Sequence, residues 1–180
     1  TGTFYSEKSF GEMWNDALTV QGLQLNTMVE SLDRTNYEFA VFNSYLLQHP
    51  EHRVVKKHAI PRIWHIHKGV VYADGHVGMC EAITSNMAPS SLEVPPNDTM
   101  GLQEWIEILG RKKGWEWQGA MIKDGKGGRW RIRPTAFNMV RFMRGESRRT
   151  DVRFAKMREQ NLVDTYLYYY PEDKGAFWEL

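Results

Sequence analysis

The 180-residue sequence holds a single cysteine, Cys80. One cysteine excludes an internal disulfide framework, a zinc ribbon and any paired-cysteine redox motif, so a metal site would have to use histidine and oxygen ligands. No apolar run approaches the roughly 20 residues that a membrane helix requires. The stretch Thr1 to Phe10 lacks the basic-then-apolar layout of a secretory signal. These absences lead to the expectation of a cytoplasmic or virion protein with no membrane partner. Internal repeats and low-complexity tracts are missing too. What is present is ordinary for a folded domain: 42% hydrophobic and 25% charged residues, at a length that suits one hydrophobic core.

The net charge of +1 conceals a partition. Residues 1 to 110 carry 7 Lys/Arg against 13 Asp/Glu, residues 111 to 158 carry 15 against 4, and residues 159 to 180 carry 1 against 5. A basic block therefore lies between acidic flanks. All six histidines, His49, His52, His58, His65, His67 and His76, fall within 28 consecutive positions, which points to one neighbourhood, either a site or a pH-sensitive surface.

Apolar spacings of three and four from Ser9 to Leu32 predict helix, with Gly22 as a break, and a second helical pattern runs from Tyr37 to Leu47. From Ala59 to His67 the period changes to strand. Lys68-Gly69 is expected to turn the chain, Val70 to Tyr72 to stay extended and Asp74-Gly75 to turn again, before a strand from His76 to Thr84. Asn86 to Asp98 reads as a surface loop. Thr99 is a candidate cap for a helix Met100 to Leu109 ended by Gly110. Trp115 to Ile122 and Arg129 to Arg133 flank a hairpin turn at 123–128, Pro134 opens a helix to Met143, and one basic helix is expected from Asp151 toward Leu167. The tail from Tyr166 to Leu180 is aromatic and acidic, suited to packing back on the domain or docking on a neighbour. The fold class is α+β: N-terminal helices packed on an antiparallel β-sheet, with a helical basic C-terminal extension. The expected organisation is a domain over residues 1–133 and an extension over 134–180, within one compact unit.

Two segments, Ile60-Pro61-Arg62-Ile63-Trp64 and Gly75-His76-Val77-Gly78-Met79, resemble the strand before the catalytic strand and the histidine strand of the CHAP family, the cysteine, histidine-dependent amidohydrolases/peptidases found among phage cell-wall lysins. Ser85-Asn86 and Trp115-Glu116-Trp117-Gln118-Gly119 extend the likeness over roughly Val20 to Gly128. The resemblance implies His76 as the base and Asn86 as its orienting residue. It also implies a nucleophile near Gly22-Leu23, where this sequence has no cysteine, serine or threonine. Cys80 cannot take that place, because four positions along one strand separate it from His76 by roughly 13 Å. The dyad is thus vestigial in this chain.

Histidine-metal chemistry is a separate candidate. His65 and His67, at i and i+2 of a predicted strand, would point the same way and chelate one ion, with Asp74 and His76 as further ligands. Otherwise no cofactor is expected; zinc or another divalent metal is the one alternative. The basic block supplies the third candidate, Arg111, Lys112, Lys113, Lys123, Lys126, Arg129, Arg131, Arg133, Arg148 and Arg149, interleaved with Trp115, Trp117, Trp130 and Phe137. Phosphate neutralisation with aromatic stacking is the physical recipe for nucleic-acid binding. The first expectation is a non-catalytic structural or binding module of amidase-like fold, phage- or virus-encoded, acting in particle assembly or cell-wall contact with other subunits or copies of itself as partners. The alternatives are a nucleic-acid-binding protein using residues 111–158 and a histidine-metal hydrolase or nuclease.

Overall fold

The computed structural model describes residues 6–29, 39–78, 86–92, 101–124, 126, 128–145 and 149–179. Cys80 and Arg148, the greater part of the expected strand His76 to Thr84, and the Thr99 cap lie outside the described residues. The protein is α+β, with two small antiparallel sheets and helices at both ends of the chain. Its contacts divide into two compact units. One comprises 1–52, 58–96 and 121–131; the other comprises 53–57, 97–120 and 132–180.

In the first unit, α1 (Phe10–Gln21) starts at a capping box. The Ser9 hydroxyl accepts from the Glu12 N–H and the Glu12 carboxylate accepts from the Ser9 N–H. It ends at Gly22, whose φ of 62° is the left-handed conformation a helix C-terminus favours. A short α2 (Leu25–Val29) follows. Ala17 of α1 and Met28 of α2 bury against Ile63, with Trp14, Leu18, Tyr45 and Leu47 around them. Gln21 clamps the helix end to the sheet: its Oε1 accepts the Ile63 N–H and its Nε2 donates to the Ile63 carbonyl.

The sheet corrects two expectations. Residues Phe39–Gln48 form strand β1 rather than a helix, and pair antiparallel with β2 (Arg62–Tyr72). The apolar pattern misleads because β1 carries large apolar side chains on both faces. Tyr45 and Leu47 join the α1 core while the Phe42 ring packs on His67 at 5.3 Å, which removes the clean alternation that marks a half-buried strand. Nor does Lys68-Gly69 turn the chain. Gly69 lies within β2 opposite Phe42, and a Cβ there would stand 2.6 Å from the Phe42 ring, so the glycine serves close packing. The turn at Asp74-Gly75 is present: Asp74 Oδ1 accepts the His76 N–H, Gly75 has φ of 82°, and Val77 bridges back to Val71.

The pairing of β1 with β2 slips at Ser44/Tyr45. Ser44 faces His67 and Tyr45 faces His65, so Ile66 is an extra residue on β2. Such a bulge breaks the two-residue alternation of side chains and leaves backbone groups outside the ladder. The hairpin of β3 (Ala120–Lys123) and β4 (Arg129–Ile132) is the second sheet. Its turn is fixed by Asp124, whose Oδ1 accepts the N–H groups of Lys126 and Gly128.

In the second unit, α3 (Leu102–Lys113) runs past Gly110 and ends at Gly114. Gly110 is not a stop: it is buried, and a Cβ there would meet Pro134 at 2.5 Å. α4 (Thr135–Arg144) starts after Pro134 as the sequence predicts. The single helix expected from Asp151 to Leu167 is two, α5 (Thr150–Glu159) and α6 (Val163–Tyr169), because Asn161 takes φ of 54° between them. Asparagine tolerates that left-handed conformation better than most residues. α7 (Lys174–Trp178) follows. Phe137, Val140, Met143, Phe154, Met157, Tyr166, Tyr170 and Phe177 form the core, so the aromatic tail packs back on its own unit.

Candidate nucleic-acid interface

Much of the charge in the basic block is spent inside the second unit. Arg144 and Arg153 are buried, and both reach Asp173, at 2.8 and 3.8 Å. The Tyr166 hydroxyl donates to the same carboxylate. Burial, together with that bond, pushes the phenol up to about 12. Arg158 donates to the Phe177 carbonyl and lies over its ring, Arg133 lies over Phe137, and Arg149 pairs with Asp151 at 2.5 Å. Arg111, Lys112 and Lys113 are exposed in the last turn of α3, where cations offset the negative end of the helix dipole.

The cations of the first unit are placed differently. Lys123, Lys126, Arg129 and Arg131 are exposed on the β3–β4 ribbon, and the indole of Trp130 between the two arginines is 54% exposed. The ribbon is tied to β2 at the bulge, where the Lys123 ammonium donates to the Ile66 carbonyl. Burial first, then the charges of Arg129 and Lys123, hold His67 below the ordinary imidazole value. Burial also holds His65 low, against an upward pull from a backbone hydrogen bond with His67, and the weaker effects of Lys68 and Lys123 add to the lowering. Lys68, Lys123 and Arg129, which act on this imidazole pair, are all basic.

The expected His65/His67 chelate depends on regular alternation, and the bulge interrupts it. His65 stacks on Tyr45 at 4.8 Å with its Nε2 2.9 Å from Asn43 Oδ1, whereas His67 is buried on Phe42. Asp74 and His76 sit on the exposed turn, where the His76 ring stacks on Tyr72. Among the described residues no group of three or more His, Cys, Asp or Glu side chains is placed to hold a metal ion. Elsewhere His49 is buried with Nε2 3.1 Å from Asp16, and His52 packs on Phe10. The six histidines thus belong to one unit, in which His49, His52, His65, His67 and His76 pack on different residues.

Asn86 lines a cavity of about 250 Å³ with Val20, Gln21, Leu23, Ile60, Pro61, Arg62 and Met87. His76 is not among its walls, so the two residues expected to mark an amidase-like groove are not brought together there. No helix among the described residues is long and apolar enough to cross a membrane. Sequence reasoning missed Lys68 and the Ile66 bulge, and a bulge leaves no residue-type signature that a lone sequence displays. Compared with protein-family models, with curated proteins and with solved structures, the chain matches none.

Proposed function

We propose that this protein binds nucleic acid, taking backbone phosphates on the β3–β4 ribbon and the neighbouring part of β2. The observation that carries this reading is the ribbon itself, which exposes Lys123, Lys126, Arg129 and Arg131 and meets the bulge carbonyl of Ile66 through Lys123. A set of like charges held by backbone geometry favours a ligand bearing several negative charges at regular spacing. The contribution of the second unit is smaller, since Arg144 and Arg153 are buried against Asp173 and Arg158 is bonded to the Phe177 carbonyl.

The amidase-like reading has less behind it, because Asn86 and His76 do not share the cavity. The deciding measurement is fluorescence anisotropy of labelled oligonucleotides between about 50 and about 200 mM salt. The wild type is expected to lose affinity steeply, linearly in log K against log salt, and Lys123→Ala/Arg129→Ala/Arg131→Ala to flatten that line. Absent or salt-insensitive binding by the wild type would refute the proposal.

A further inference from the structure

We propose, resting on the phosphate-binding reading above, that Trp130 is a stacking platform for an unpaired nucleobase, so that the ribbon prefers single strands to duplex. The indole is more than half exposed, at 54%, on a strand whose four residues are otherwise Arg129, Arg131 and Ile132. Its position is nevertheless fixed from one side. A Cβ on Gly128 would stand 2.5 Å from Trp130 Cη2, so the far edge of the ring rests where any other residue would put a side chain.

The same point above Gly128 lies 2.7 Å from an Asp124 carboxylate oxygen, and that carboxylate is locked by the Lys126 and Gly128 N–H groups at 2.8 and 2.7 Å. The Asp124 N–H in turn donates to the Gly128 carbonyl at 3.1 Å. One side of the indole is therefore held by the turn while more than half of its surface stays open to solvent. A ring fixed before binding loses little freedom when a flat partner settles on it.

The arginines complete the arrangement. Side chains alternate along a strand, so Arg129 and Arg131 project from the face opposite Trp130. β4 belongs to a two-stranded sheet and is an edge strand among the described residues. A single nucleic-acid strand following that edge meets the arginines with its phosphates and the indole with a base. A duplex offers phosphates equally well, but its base faces are stacked inside, so only phosphate contact remains.

The test compares binding of a labelled single strand, a duplex of the same composition and a single strand of abasic sites, using wild type, Trp130→Ala, Trp130→Phe and Gly128→Ala. Trp130→Ala is expected to weaken single-strand binding about 10-fold, the weight of one stacked base. It should leave the duplex, the abasic strand and the salt dependence unchanged. Trp130→Phe should restore most of the loss, and Gly128→Ala, which displaces the ring, should reproduce it. A loss shared equally by all three ligands, or no loss on the single strand, overturns the proposal. If the wild type binds none of the three at low salt, the phosphate-binding reading itself has failed. Intact salt-dependent binding with an indifferent Trp130→Ala defeats only the stacking platform.

Discussion

The Lys123 ammonium donates to the backbone carbonyl of Ile66, the residue at which β2 slips out of register with β1. The hairpin cation thus meets a carbonyl at the point where the ladder is interrupted.

Lys123→Ala is therefore expected to remove one phosphate contact, lowering the magnitude of the log–log salt slope by about 0.7 to 0.9. Anisotropy against salt checks this. An unchanged slope would mean that Lys123 holds the hairpin without meeting the ligand.

Acid should destabilise the fold through His65 and His67. Burial and the nearby cations lower both imidazoles in the folded state, so the unfolded chain binds more protons once the pH drops below its own value of about 6.5. The stability these residues contribute is complete above that pH and is lost as pH falls from there through the folded values. Thermal midpoints between neutral and mildly acid pH should fall for the wild type and fall less for His65→Gln/His67→Gln. His52, which burial also lowers, adds to the residual slope. Parallel curves for wild type and variant would contradict the assignment.

Asp173 serves Arg144, Arg153 and the Tyr166 hydroxyl together. Asp173→Ala leaves buried guanidinium groups without their carboxylate, a change that costs about 3 to 5 kcal/mol. Urea unfolding measures it, and a loss below about 1 kcal/mol would show that the arginines find other compensation.

Gly119 precedes β3 at φ of 98°, and a Cβ there would lie 2.0 Å from the Ile132 carbonyl oxygen and 2.8 Å from Arg133 Cα. Both obstacles are backbone, which cannot rotate aside. Gly119→Ala is expected to cost at least about 1 to 3 kcal/mol from the backbone strain alone and to disturb the ribbon root. Unfolding midpoints together with oligonucleotide affinity report the two effects, and a variant as stable as wild type would exclude this account.

Features closed by short-range chemistry were legible in the sequence: the helical spacing after Ser9, Gly22 at its break, the turn at 123–128 and the helix start after Pro134. What escaped depends on partners distant in the chain. Phe42, Tyr45 and Leu46 mimic a helical spacing because β1 carries apolar side chains on both faces, Tyr45 toward the α1 core and Phe42 beside His67. Gly69 and Gly110 look like punctuation, yet each makes room for a neighbour, Phe42 or Pro134. Within the site, the exposed hairpin cations could be named in advance. That Arg144 and Arg153 would be consumed by a carboxylate at position 173 could not, since nothing local marks Asp173 as their acceptor. The paired-histidine expectation failed to anticipate the bulge for the same reason.

The shared carboxylate also sets an order of events during synthesis. Arg53 must wait for Glu172 and the Tyr169 carbonyl, and Arg144 and Arg153 for Asp173, so the ribosome delivers every one of these cations before its acceptor. The second unit therefore cannot complete its ion pairs as it emerges, although α3 and α4 can already pack through Gly110 on Pro134. Its early pieces, residues 53–57 among them, stay open until the segment around 166–177 is available, and a nascent chain stalled short of that point should present soft, protease-sensitive helices.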